Sequence, residues 1–238
     1  MNVRLMSYNI YSCRNFVTRE LDYDSIAETV RRCGADIVGL QEVRDEGPGP
    51  DNDPQARILA EKLGFYSYFA EAIVFPERGP YGNALLSRYP ILSAETVLIP
   101  DPDPRTGNKY YETRCVLKAR IAVPGVPQGL TVCVTHFGLN TDEQENAVQT
   151  VLSLLDEERC VLMGDFNVTP STALLRPIQE RMQDASSTLG EVFSFPVQAP
   201  KRKIDYIFVS RDITVTEAQI PAIGSSDHCP HVASVTLA

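Results

Sequence analysis

Apolar residues recur along this chain in two rhythms, and the changes of rhythm divide it into strands and helices. Residues 3–10 alternate loosely and read as a strand, and residues 36–43 form a short apolar run, the pattern of a strand buried on both faces. Between them Asp22 or Asp24 caps a helix whose apolar face is Ile26, Val30 and Cys33, with Gly34 suited to its end. A second helix follows Pro54, carries Ile58, Leu59 and Leu63, and stops at Gly64. Strand patterns then dominate, at residues 66–73, 83–87, 91–98, 110–123 and 130–136. A third helix starts near Thr141, where Thr141 and Gln144 fit a capping box, and Val148, Val151, Leu152 and Leu155 make its apolar stripe. Strands resume at 160–164, 203–209, 213–219 and 231–237. The Pro/Gly-rich pieces at 47–54, 76–80 and 100–107 are loops, and no linker or short-motif repeat splits the chain. The pattern predicts one α/β domain over residues 1–238, with two packed sheets and helices outside them.

Composition narrows the function classes. A 238-residue chain with 43% apolar content buries one large core. Its net charge of −9, with no basic cluster longer than Lys201-Arg202-Lys203, argues against duplex binding, which draws on a basic stripe. No apolar run is long enough for a transmembrane segment, and the first ten residues read as a strand rather than a secretory leader. A cytoplasmic location is expected, secretion staying open should a leader have been removed. Six cysteines without a C-x-x-C pair read as reduced, buried thiols, and the three histidines lack zinc-site spacing.

Candidate chemistry sits where apolar strands end, at positions from which a rigid sheet aims side chains into a cleft. After Val161-Leu162-Met163-Gly164, Asp165 and Asn167 project to one face in extended chain while Phe166 turns to the core; a turn is the competing reading. Glu42 follows the buried 36–43 run and is either a hard oxygen ligand or a solvated strand-end carboxylate. Asp205 lies inside a strand that is apolar on both faces, so it needs a partner. Ser226-Asp227-His228 supplies a histidine for it, Asp227 pointing toward a metal. His231, at the start of the last strand, reads as structural. His136 and Asn9 end two further strands, the first a donor to phosphoryl oxygen, the second a candidate for a metal's outer shell. This set suits in-line displacement at phosphorus.

In order, Ser7-Tyr8-Asn9, Leu40-Gln41-Glu42, the stretch from Gly82 to Ile91, Thr135-His136, Gly164-Asp165-Phe166-Asn167, Ile204-Asp205-Tyr206 and Ser226-Asp227-His228 resemble the endonuclease/exonuclease/phosphatase superfamily. The resemblance implies a four-layer α-β-β-α sandwich, two mixed sheets face to face with helices outside, and an active site at one edge. It implies Mg²⁺ or Mn²⁺, with Glu42 as principal ligand and Asn9 and Asp227 close by. Asp165 would position or deprotonate the attacking water, Asn167 and His136 would hold phosphoryl oxygens, and His228 paired with Asp205 would bind phosphate or transfer a proton. Arg114, in Glu112-Thr113-Arg114, is a phosphate contact by resemblance or half of a surface ion pair by pattern. Asn83 supports the site or serves a turn. The chain departs from the abasic-site branch by carrying Tyr11 two residues after Asn9, where those relatives have an acid.

The loops weigh the substrate. Asp45, Glu46, Asp51 and Asp53 crowd the 44–54 loop, and neither tryptophan nor aromatic–basic alternation is present for stacking single strands. The expected activity is hydrolysis of a phosphodiester in a small molecule or phospholipid head group. A nuclease, and a non-catalytic interaction module on the same fold, are the alternatives.

Overall fold

The computed structural model describes residues 1–49 and 52–237, so Asp51, one of the acids weighed above, lies outside the described residues. In chain order the elements are β1 (Asn2–Asn9), α1 (Tyr23–Cys33), β2 (Ile37–Arg44), α2 (Gln55–Leu63), β3 (Tyr66–Phe75), β4 (Gly79–Ser87), β5 (Ile91–Leu98), β6 (Cys115–Ile121), β7 (Leu130–His136), α3 (Thr141–Leu154), β8 (Cys160–Asp165), α4 (Arg176–Arg181), β9 (Met182–Asp184), β10 (Asp205–Ser210), β11 (Thr214–Gln219) and β12 (His231–Thr236). They form two six-stranded sheets, in the orders β11-β12-β1-β2-β4-β3 and β5-β6-β7-β8-β10-β9. Each sheet is antiparallel except for one central parallel pair, β1 with β2 and β7 with β8. A parallel pair needs a crossover, and α1 and α3 provide the two. The chain therefore repeats a strand–helix–strand unit in each sheet, a likeness of form that short motifs do not reveal.

Strand alternation builds three apolar layers. Leu5, Ile37 and Leu85 of the first sheet meet Leu117, Val134, Met163 and Ile207 of the second between the sheets. The opposite faces pack under helices: Met6, Tyr8, Val38 and Leu40 against Ile26, Val30 and Leu59, and Cys133, Leu162 and Phe208 against Ala147, Val151 and Ile178. The central strands are thus buried on both faces, as their unbroken apolar runs require. The result is the expected four-layer sandwich. The six cysteines are free and buried, and among the described residues no helix is long and apolar enough to cross a membrane.

Local signals set most element ends. The Asp22 side chain accepts Ser25 N–H at 2.9 Å, choosing Asp22 over Asp24 as the cap of α1, and Gly34 closes that helix in the left-handed conformation. Elsewhere the structure corrects the pattern. The cap of α3 is Asn140 rather than Thr141: Glu143 Oε2 accepts Asn140 N–H at 3.0 Å, while Gln144 donates to the Gly138 carbonyl. The strand read over 110–123 begins at Cys115, because side chains of α3 take the preceding backbone N–H groups, Lys109 to Asn140 and Glu112 to Glu143. Short elements α4 and β9 carry no periodic pattern long enough to be read.

The sheets pack tightly over Gly39. A Cβ there would lie 2.6 Å from Met163 Sδ and 2.9 Å from Val134 Cγ2. Gly39→Ala is expected to destabilise the fold by about 1–3 kcal/mol through overpacking; an unchanged urea midpoint would show that the seam has slack.

Candidate active site

The layer between the sheets changes character toward one rim. Along β1, Leu5 gives way to Ser7 and Asn9; along β7, Val134 gives way to His136; along β8, Met163 gives way to Asp165; and in β10, Asp205 precedes Ile207 on the same face. All these polar side chains are buried. The rim lies at the carboxyl ends of both parallel pairs, where a parallel sheet opens a crevice for ligands.

Glu42 reaches the rim by a backbone device. Simple alternation would send it to the helix side with Leu40, but its φ is +58°, and the β2–β4 register shifts between Leu40 and Val43. The extra residue resets the phase, so Val43 packs under the helices and Glu42 faces the site. A left-handed glutamate is strained, as functional positions often are. Asn167 is also left-handed, at +53°, and its backbone N–H donates to Asp165 Oδ1 at 3.0 Å.

Asp165 Oδ2 is the meeting point. Asn9 Nδ2 donates to it at 3.1 Å and equally to Glu42 Oε1 at 3.1 Å, tying the two carboxylates together. Asn9 Oδ1 is taken by the Tyr11 N–H, so the amide nitrogen faces the acids and Asn9 acts as a bridge between them. Nε2 of His136 and of His228 lie 3.5 and 3.7 Å from the same Asp165 oxygen. His228 Nδ1 is 2.9 Å from Asp205 Oδ2, and Phe195 packs on the imidazole with ring centroids 4.7 Å apart. Ser226 fixes the loop that carries Asp227 and His228, donating to the Asn9 carbonyl at 2.6 Å. The sequence offered no signal for Phe195, which lies in an irregular stretch.

The two histidines carry different charge. Burial opposes the charge of His228, but Asp205 and Asp165 outweigh it and push its pKa up to about 10. His136 is held well below the usual histidine value by burial, by Arg114 and by His228. Arg114 Nη1 lies 3.0 Å from His136 Nδ1; a guanidinium only donates, so Nδ1 accepts and the neutral ring carries its proton on Nε2. Asn167 Nδ2 is 3.3 Å from that Nε2. Asp165 Oδ2 lies 3.5 Å from the same Nε2, and Asn167 Nδ2 also donates to the Phe137 carbonyl at 3.0 Å. Arg114 itself is buried, its side chain 13% exposed and its Glu112 partner 12%, which corrects the surface-pair reading. Burial and the charge of Asp205 raise Asp165 to about 7, against the opposing effects of His228, Asn167 and Asn9. A carboxylate so placed takes up a proton near neutrality.

Asp165, Asp205 and His228 offer donor atoms within 4.8 Å of one another. A protonated imidazole is no metal ligand, so this trio suits proton handling. Oxygen donors gather on the other side of Asn9: burial raises the pKa of Glu42 and the charge of Asp227 raises it further. Two carboxylates that crowd each other in a buried setting fit a hard divalent cation. Of the remaining candidates, Asn83 Nδ2 donates to the Cys115 carbonyl at 3.0 Å, tying the two sheets beneath the rim. His231 is fully buried, with Nδ1 3.3 Å from the Asp205 carbonyl, as a structural role demands.

A sequence profile of the Endonuclease/Exonuclease/phosphatase family matches residues 6–228. The chain belongs to this family. Protein YbhP of Escherichia coli strain K12 is similar, 28% identical over a 257-residue alignment that covers 98% of this chain and 96% of that one. Among solved structures, an endonuclease/exonuclease/phosphatase from Beutenbergia cavernae superposes with a TM-score of 0.80 at 25% identity, over 99% of this chain and 72% of that one. One from Bacteroides vulgatus gives 0.79 at 22% identity and covers both chains fully. Membership explains why the polar residues recur in family order at strand ends, since the fold brings those ends to one rim.

Because His228 is held above its ordinary value, its ion pair contributes fully below about pH 6.5 and ceases to contribute as pH rises through about 10. Asp205→Asn is therefore expected to cost about 3 kcal/mol at pH 6 and progressively less toward pH 10, read by urea unfolding of the metal-free protein. A loss independent of pH would contradict the pairing.

Proposed function

We propose that the chain hydrolyses a phosphodiester, in a small molecule or phospholipid head group, with Mg²⁺ or Mn²⁺ held by Glu42 and Asp227. The observation that carries this reading is the convergence on Asp165 Oδ2 of Asn9, His136 and His228, with His228 anchored to Asp205. A divalent cation, when bound, supplies positive charge against the oxygens of the phosphoryl group.

The protein's own groups do the rest. Asp165 orients a water and takes its proton, which its raised pKa favours. His136 Nε2–H and Asn167 Nδ2–H receive a phosphoryl oxygen between them, and because both are rigidly held they need no rearrangement as negative charge grows there. His228 delivers a proton toward the leaving oxygen, and Asp205 keeps its ring in the required orientation. Asn9 holds Glu42 and Asp165 at a fixed separation, so the residue that would hold the cation and the one that orients the water face the same phosphoryl group. Arg114 acts through His136, fixing its tautomer.

Hydrolysis of an activated phosphodiester with Mg²⁺ is the direct test. Asp165→Ala is expected to lower kcat by at least about 100-fold, the scale of a lost acid–base group, and unchanged turnover would remove Asp165 from the mechanism. Glu42→Gln should weaken Mg²⁺ binding in a calorimetric titration; identical isotherms would exclude Glu42 as a ligand. Plasmid DNA with Mg²⁺ across a salt series serves as the competing substrate, and robust, salt-sensitive nicking would assign a nuclease instead.

A further inference from the structure

A cavity of about 970 Å³ opens beside Glu42, between the turn after β1, the far end of β2 and the β3–β4 hairpin. Its size suits a small molecule. Glu42 and Arg44 both line it, while Val43 between them packs under the helices. Glu42 and Arg44 are only two positions apart in the chain.

Three arginines, Arg14, Arg44 and Arg78, and three acids, Glu42, Glu77 and Glu112, line this cavity. Arg44 lies over the rings of Phe75 and Tyr81, 5.8 and 5.2 Å from their centroids, and donates to the Arg78 carbonyl at 3.2 Å. The stack fixes the guanidinium plane. Arg78 lines the same cavity. Among the described residues neither Arg44 nor Arg78 has a carboxylate partner. Of the lining acids, Glu112 is engaged by Arg114 at 2.5 Å, Glu42 by Asn9, and Glu77 is exposed to solvent. Burial opposes the charge of Arg44, as do the nearby Arg78 and Arg14, while Tyr81 and Glu112 favour it. Two like charges gathered in a concave, aromatic-backed site are stabilised by an anion that bridges them, and the guanidinium fork matches phosphate and carboxylate oxygens.

We propose that this cavity binds a second anionic group of the substrate, a phosphate or carboxylate. The proposal rests on the phosphoesterase reading and sharpens it: the substrate is a small phosphate ester with a charged arm, held by Arg44 and Arg78, rather than a phospholipid with an uncharged one.

The test compares three chromogenic diesters of 4-nitrophenyl phosphate, whose second arm is propyl, 3-phosphopropyl or 3-carboxypropyl. An anionic arm is expected to raise kcat/KM by about tenfold or more over propyl, mainly through KM, as a charged hydrogen bond provides. The ratio of the two anionic arms tells which anion fits. In Arg78→Gln the charged-to-propyl ratio should collapse toward one, and Arg44→Gln should do the same, with melting curves confirming that each variant is folded. Equal kcat/KM for charged and uncharged arms in the unaltered protein, or a ratio preserved in both variants, overturns the proposal. Should none of the three be hydrolysed, the phosphoesterase reading fails by itself. Calorimetry then decides the cavity: propane-1,3-diol bisphosphate must bind the Mg²⁺-loaded protein more tightly than propyl phosphate and lose that advantage in Arg78→Gln, and equal affinities overturn it.

Discussion

A carboxylate walled in between two β-sheets is tolerable only when a positive group meets it there, and Asp205 is met by His228. Much of the rim follows from that pairing. The imidazole must arrive from the 224–230 segment, so that segment is lashed to the first sheet through Ser226 and the Asn9 carbonyl, and to the 194–197 stretch through Cys229 N–H and the Ser194 carbonyl. Asp227 is placed as a consequence, beside Glu42 rather than in solvent. The ion pair thus sets the position of a residue on the opposite side of the site.

The site divides into two halves that share a hinge of hydrogen bonds. On one side stand the carboxylates of Glu42 and Asp227; on the other Asp165, Asp205 and His228 cluster. Asn9 belongs to both, because its amide nitrogen bridges Glu42 and Asp165. The neutral His136 completes the second half by contrast with the charged His228. One imidazole is matched to two carboxylates and the other to a guanidinium, so two residues of the same type are held at opposite ends of the histidine range.

Much of this was legible in the chain. Asp165, Asn167, Asp205 and His136 stand where unbroken apolar runs stop, and a strand buried on both faces leaves a polar residue few reasons to be there. Asp205 announced its partner because an acid inside an apolar strand needs one. Other features left no local mark. The phase reset at Glu42 depends on pairing with β4, 40 residues on, and simple alternation would have aimed the side chain the wrong way. Arg114 reads as a surface residue from its acidic neighbour alone; its burial depends on α3 and β7 folding over it. Phe195 sits in irregular chain and meets His228 only in three dimensions. What the sequence states plainly is the end of an element, while the contacts made across sheets emerge from topology.

The groups at the rim come from both sheets, Asn9 and Glu42 from one, His136, Asp165 and Asp205 from the other. Their mutual distances are therefore a direct measure of how far apart the sheets stand. Gly39, with no side chain to keep Met163 away, is a point of close contact between them a few residues below. A bulkier seam would act as a shim, widening the jaws of the site by a fraction of an ångström and carrying Asn9 and Glu42 away from His136, Asp165 and Asp205.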